Sequence, residues 1–208
     1  MKQAQSSISI NSLYCAIDST VILSDINFNL NSGQSITITG PNGVGKTLLL
    51  NTIVGFKSIF KGKISINKVN VSNDPSNRQE HIGYFGHKAS IHSGLTVMET
   101  IEYWKAYYSS DTNTSELINF WDLPNKTVES CSEGQRKRLA LVRLSLMNRN
   151  IWILDEPTTK LDFVGKKKFL ELHTSHLRAG GLSIITSHEP AQVKGHKIIN
   201  LERHRGKN

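Results

Sequence analysis

The strongest constraint on this chain is a short strand that runs into a glycine loop and out into a helix. Ile36-Thr37-Ile38-Thr39 is a β-prone run, GPNGVGKT occupies residues 40–47, and LLLNTIV at residues 48–54 is an apolar segment of helical length. The loop fits G-x-x-x-x-G-K-[ST], and a strand before it with a helix after it is the setting in which that pattern holds phosphate. Gly40, Gly43 and Gly45 let the backbone curl until successive N–H groups converge on one anion, while the helix turns the positive end of its dipole toward it. The expected cradle runs through Gly40, Pro41, Asn42, Gly43, Val44, Gly45, Lys46, Thr47 and Leu48. Lys46 is placed to reach the β and γ phosphates as a mobile charge, and the Thr47 hydroxyl to take one place on Mg²⁺.

The segments around this loop give the fold class. Ile26, Phe28 and Leu30 alternate before an Asn31-Ser32-Gly33 turn, so residues 8–39 read as strands, and residues 62–71 alternate again as a hairpin-like extension. A polar loop is expected at residues 73–77, a strand at residues 82–85, and a second loop from Gly86 to Gly94. Thr96 and Glu99 form a possible capping box ahead of Val97, Ile101, Trp104 and Tyr108 at helical spacing, and a short helix follows from Ser115 to Trp121. At 208 residues with 38% hydrophobic content the chain can bury one substantial core. The expectation is one α/β domain over residues 1–208, with a small helical subdomain inserted at about 95–148.

Two further stretches carry chemistry. Ser132 and Gln135 make a second S-x-x-Q capping box, with Leu139, Val142 and Leu146 as the apolar face of the helix behind it. Gly134 in the first turn removes the side chain that would keep a phosphate from the backbone. Then Ile151-Trp152-Ile153-Leu154, a run typical of a strand buried on both faces, ends in Asp155-Glu156-Pro157. Ligands of open α/β sheets bind outside the carboxyl ends of the strands, which places Asp155 to hold Mg²⁺ and Glu156 to activate water as general base. The strand Leu182-Ser183-Ile184-Ile185-Thr186 leads to Ser187-His188, and an imidazole at that edge can hydrogen-bond a γ-phosphate oxygen and the attacking water. His173 and His176 share an i, i+3 spacing, which reads as structural rather than as a haem or metal site.

Net charge limits the partners without choosing one. The formal charge of +8 suits nucleic acid, anionic headgroups or nucleotide phosphates, and the clusters at residues 166–168 and 203–207 read as a solvated face and a frayed tail. No run approaches the length of a spanning helix, and residues 1–12 lack the apolar core of a secretory signal. Cys15 and Cys131 are the two cysteines and suggest no disulfide framework, so a reducing compartment is expected.

Taken in order, GPNGVGKT, CSEGQ, IWILDEP, TKLD and the His188 of TSHEP resemble the nucleotide-binding subunit of ABC transporters over nearly the whole chain. The resemblance implies a P-loop NTPase core with an N-terminal antiparallel β subdomain and an inserted helical subdomain, ATP and Mg²⁺ as cofactors, and catalytic roles for Lys46, Glu156 and His188. It also implies a homodimer in which Ser132, Gly134 and Gln135 contact the γ-phosphate bound to a second copy's Gly40 loop, with Asp162 in the loop joining the two sites. Within that superfamily, YFGHKASIHSGLTVMETI, SITITGPNG and EPTTKLD are most similar to the CcmA family, the ATP-binding subunit of the haem exporter of cytochrome c maturation. That resemblance implies integral membrane partners that hold the haem, no direct binding of haem by this subunit, and a place on the cytoplasmic face of the inner membrane or its organellar equivalent.

Some positions depart from the family pattern. Spacing to Leu95 puts His87, followed by Lys88, where most of the family has a metal-sensing glutamine, so His87 joins Thr47 and Asp155 as a metal candidate. The adenine-stacking aromatic is expected near Ile17, and Tyr14, slightly off register, is the candidate. Cys131 and Glu133 stand where the signature usually has Leu and Gly or Ala. Export of lipid, lipoprotein or another cargo is an alternative reading. A soluble assembly or nucleic-acid factor is another, although such relatives carry coiled-coil insertions or two ATPase units, and binding to nucleic acid is not expected.

Overall fold

The computed structural model describes residues 6–86, 91–92, 94–187 and 197–206. The chain divides into two compact units, one drawn from residues 1–84, 149–156 and 176–208 and the other from residues 85–148 and 157–175.

The first unit begins with a hairpin of β1 (Ser7–Ile17) and β2 (Thr20–Asn31), closed by Asp18 and Ser19 with φ 45° and 67°. Both turn residues are left-handed, the geometry that matches the twist of a two-residue hairpin. After β3 (Ser35–Thr39) and α1 (Lys46–Val54), β4 (Lys61–Ile66) returns to pair with β1, and β5 (Val69–Asn70) with β4. The resulting antiparallel sheet has the order β2-β1-β4-β5. Its register sets Ile8 opposite Leu30 and Ile66, and Ile10 opposite Phe28 and Ile64, so the alternation seen in the sequence becomes one apolar face.

The second sheet of this unit carries the glycine loop. It is built from β3, β6 (Ile82–Phe85), β7 (Ile151–Asp155), β8 (Leu182–Thr186) and β9 (Lys197–Asn200), in the order β6-β7-β8-β3-β9. β3 runs parallel to both β8 and β9, and β7 parallel to β8. Every residue of β7 and β8 is buried, as expected of strands covered on both faces. Ile36, Ile38, Leu49, Leu50, Ile53, Ile151, Ile153, Leu182 and Ile184 belong to one core with the inward face of the antiparallel sheet. The segments after β3 and β7 therefore leave from the same carboxyl edge, although Thr47 and Asp155 are 108 residues apart.

Two local expectations fail in this unit. The polar loop ends at Asp74 and does not run to residue 77: α2 (Pro75–His81) starts there, with the Asp74 carboxylate accepting from Asn77 N at 2.9 Å and Pro75 in the first turn. Asp before Pro is a helix start, because Asp satisfies an orphan N–H and Pro has none to lose. The C-terminal basic cluster is not frayed up to residue 206. A 3₁₀ turn (Leu201–His204) buries Leu201, His204 Nδ1 lies 3.3 Å from Ser24 O, and Gly206 N donates to Ile22 O.

The second unit is helical: α3 (Val97–Tyr108), α4 (Thr114–Trp121), α5 (Glu133–Leu146) and the greater part of α6 (Phe163–Arg178). Both capping boxes read from the sequence are formed, Thr96 with Glu99 and Ser132 with Gln135. α3, α4 and α5 contact one another, and Val97, Ile101, Trp104, Leu117, Trp121, Leu139, Val142 and Leu146 are buried, the aliphatic ones worth about 1.5–3 kcal/mol each by transfer. Among the described residues no helix is long and apolar enough to cross a membrane.

Candidate functional site

The glycine loop closes on itself through backbone shapes that side chains resist. Gly40 has φ 146°, and a Cβ there would meet Val44 Cγ1 at 2.8 Å; Gly45 has φ 108° and caps α1, with Leu23 Cδ1 3.1 Å from where its Cβ would be. The Val44 side chain is buried in the core, which anchors the loop and leaves only its backbone for a ligand. Lys46, the first residue of α1, is 7% exposed; its Nζ donates to Gly40 O at 2.8 Å and lies 3.9 Å from Glu156 Oε1. A cleft of about 210 Å³ opens here, lined by Asn42, Gly43, Gly45, Lys46, Thr47, Leu48 and Glu156.

The acidic pair at the end of β7 adjoins this cleft, with Glu156 as the member that lines it. Asp155 is 2% exposed and both of its oxygens accept hydroxyls: Oδ2 from Thr47 Oγ1 at 2.8 Å and Oδ1 from Thr186 Oγ1 at 2.6 Å. The Thr186 hydroxyl in turn accepts from Glu156 N at 2.9 Å, so one side chain of β8 fixes the Asp155 carboxylate and the backbone of the next residue together. Glu156 takes φ 47°, a left-handed turn that ends the strand and aims the carboxylate into the cleft. Thr47 and Asp155 present hard oxygen donors side by side, the donor chemistry Mg²⁺ prefers. Tyr84 donates to Asn51 Oδ1 at 3.1 Å, and burial followed by the Asp155 charge pushes its phenol up to about 12, so it stays a donor.

In the second unit the tip of α5 is polar and open. Ser132 Oγ accepts from Gln135 N at 3.2 Å, and Gln135 Oε1 accepts from Ser132 N at 2.9 Å. A Cβ on Gly134 would lie 3.4 Å from Lys160 O, about an ordinary contact, so packing does not by itself require glycine there. Asp162 is held by Arg138, whose Nη2 donates to both carboxylate oxygens at 2.7 and 2.6 Å, and by Gly165 N at 2.8 Å. These contacts hold its carboxyl below the ordinary range, the Gly165 N–H first and Arg138 next. Glu133 pairs with Lys160.

The structure thus brings residues 40–48, Asp155 and Glu156 together in the first unit, and Ser132, Gly134, Gln135 and Asp162 in the second. His87 and His188 lie outside the described residues. Tyr14 is half-buried in β1 with Lys61 Nζ 5.2 Å from its ring centroid, and Ile17 beyond it is 50% exposed. His176 stacks on Trp152 with ring centroids 3.6 Å apart, its Nε2 3.3 Å from Leu182 O, and burial lowers its pKa to about 4. His173 stacks on Phe169, and among the described residues no group of three or more His, Cys, Asp or Glu side chains could hold a metal ion. Cys131 is a buried packing residue, and burial pushes the Cys15 thiol up to about 11, away from reactivity. The sequence reading passed over Thr186, Arg138 and Lys160; a Thr closing an apolar strand and an Arg within a polar helix start carry no motif of their own.

Comparison with known proteins decides the family. The ABC transporter family matches residues 23–159. The chain belongs to the ABC transporter family. It is 30% identical to the "Cytochrome c biogenesis ATP-binding export protein CcmA" of Cereibacter sphaeroides, over 95% of this chain and 90% of that protein. A putative ABC transporter ATP-binding protein of Pyrococcus furiosus superposes with a TM-score of 0.83 at 25% identity, over 96% of this chain and 100% of the other. An ATP-binding cassette solved as a dimer with ADP and Pi shares the fold, with a TM-score of 0.77 at 22% identity over 93% of this chain and 94% of its own. The chain is therefore an ABC-type ATPase, with an ATP-binding cassette as its fold.

Proposed function

We propose that this chain is the ATP-hydrolysing subunit of a membrane exporter that supplies haem for c-type cytochrome biogenesis. The observation that supports the catalytic half is one cleft lined by Lys46, Thr47 and Glu156, with Thr47 bonded to Asp155 and Lys46 beside Glu156. In this reading the backbone of residues 40–48 wraps the phosphates of ATP, and Lys46 leaves its carbonyl contacts for the β and γ phosphates. Thr47 and Asp155 would hold Mg²⁺, which would supply positive charge to offset the phosphates. Glu156 takes the proton of the attacking water, a role worth roughly 10²–10⁴ in rate. Ser132, Gly134, Gln135 and Asp162 of a second copy close over the nucleotide, and each chain completes its neighbour's site. Tyr14 for the adenine, His188 for the γ-phosphate and His87 for the metal complete the set of residues proposed for the ligand.

The exporter half rests on likeness to CcmA proteins along nearly the whole chain. Membrane subunits bind the ATPase pair peripherally on the cytoplasmic face and carry the haem themselves. Purification of the complex from membranes in detergent, with identification of the co-purified subunits and assay of ATP-dependent haem delivery to apocytochrome c, tests this directly. Recovery of membrane subunits that stimulate ATP hydrolysis with lipid or lipoprotein, and not in haem delivery, overturns the cargo while leaving the ATPase reading intact.

A further inference from the structure

We propose that Lys160 tunes how readily the tip of α5 accepts a second copy's nucleotide, by neutralising the carboxylate that Glu133 places in the first turn of that helix. The inference rests on the split-site reading above. A helix N-terminus favours an anion through its free N–H groups and its dipole. Glu133 sets an exposed carboxylate at that point and opposes an approaching triphosphate. Lys160 bonds Glu133 Oε1 from the neighbouring loop and is the first cause holding that carboxyl below the ordinary range.

Three observations separate this role from stabilisation of the fold. Both partners are more than half exposed, at 52% and 61% of their side chains, and exposed pairs add little to stability. Lys160 takes φ 67°, an uncommon backbone for lysine that sets its carbonyl over Gly134. The loop is held without the pair, because Asp162, two residues on, is gripped by Arg138 and Gly165. Arg136, the other cation near Glu133, has its guanidinium on Cys131 O at 2.7 Å and Glu129 O at 3.4 Å, both in the preceding loop. Lys160 is then a positioning residue for charge, acting through Glu133 and not on the reacting atoms.

The test is sedimentation of the full chain against a non-hydrolysable ATP analogue, with steady-state ATPase kinetics alongside. For Lys160→Gln the expected outcome is an analogue concentration for half-maximal dimerisation, and a KM for ATP, raised by about fivefold, as for like charge at an interface rim, with the affinity of the monomer for nucleotide unchanged. The shift shrinks as salt is raised. Lys160→Arg behaves as the parent, and Glu133→Gln added to Lys160→Gln restores the parent value. An unshifted Lys160→Gln, or a shift that Glu133→Gln does not reverse, overturns the inference while the split site stands. A parent chain that forms no dimer with the analogue brings down the split site and the inference with it.

Discussion

The phosphate cradle and the tip of α5 are both helix starts, yet they are finished to different degrees. The cradle is closed: Lys46 and Asp155 are 7% and 2% exposed, both Asp155 oxygens are hydrogen-bonded, and Val44 roots the loop in the core. At the tip Ser132 and Glu133 are exposed, and Ser132 and Gln135 bond mainly to each other. A chain that needed the tip only as a helix cap would gain nothing from Gly134, which weakens a helix by about 1 kcal/mol relative to Ala. In the proposed function one region is a preformed site, and the other is half of one.

The largest effect that would break this contrast comes from the cradle. Lys46→Ala is expected to abolish measurable ATP hydrolysis, and Glu156→Gln to lower turnover by roughly 10²–10⁴ while keeping ATP affinity, with ATP-dependent dimers accumulating in sedimentation. Hydrolysis at the parent rate in Glu156→Gln removes Glu156 as the base. Next comes a matched pair of caps in the second unit. Ser132→Ala and Thr96→Ala each delete the hydroxyl of a complete capping box and should each lower stability by about 1 kcal/mol in urea unfolding. Only Ser132→Ala should also lower ATP turnover, by roughly 10-fold or more as for loss of a donor to charge developing in the transition state. Equal activities for the two variants would reduce the tip to a cap.

The smallest effect concerns the support beneath the cradle. His176 stacks on Trp152 of the strand that ends in Asp155, and its pKa falls from 6.5 to about 4 because burial disfavours the cation. The unfolded chain takes up that proton near 6.5 and the folded chain does not. Stability is therefore full above about 6.5 and declines as pH falls toward 4, at a slope of up to about 1.4 kcal/mol per pH unit from this group. His176→Phe keeps a ring in the stack and should cost about 1 kcal/mol at neutral pH through the lost carbonyl contact. It should also flatten the slope between pH 6.5 and 4 in urea titrations. An unchanged slope would place the acid sensitivity elsewhere.

Much of the cradle was legible because its chemistry is local. The loop of residues 40–47 specifies its own backbone, and IWILDEP announces both a buried strand and what lies at its end. The tip was legible as a cap for the same reason. Contacts set by long-range packing were not: Thr186 is fixed to Asp155 and Glu156 by the adjacency of β7 and β8, and Arg138 to Asp162 across 24 residues of sequence. The same limit hid β9 and the docking of residues 201–206, whose pairing partners lie more than 150 residues earlier in the chain. Helix α2 is different, since Asp74-Pro75 carried its own start signal and was masked by a polar composition.

The strand order β6-β7-β8-β3-β9 gives the second unit an unusual kind of freedom. Residues 86–150 depart from one strand and come back on its immediate neighbour, and residues 156–181 do the same between β7 and β8. Each excursion is a loop whose two feet stand side by side, so its length and contents can be rewritten without re-threading the sheet.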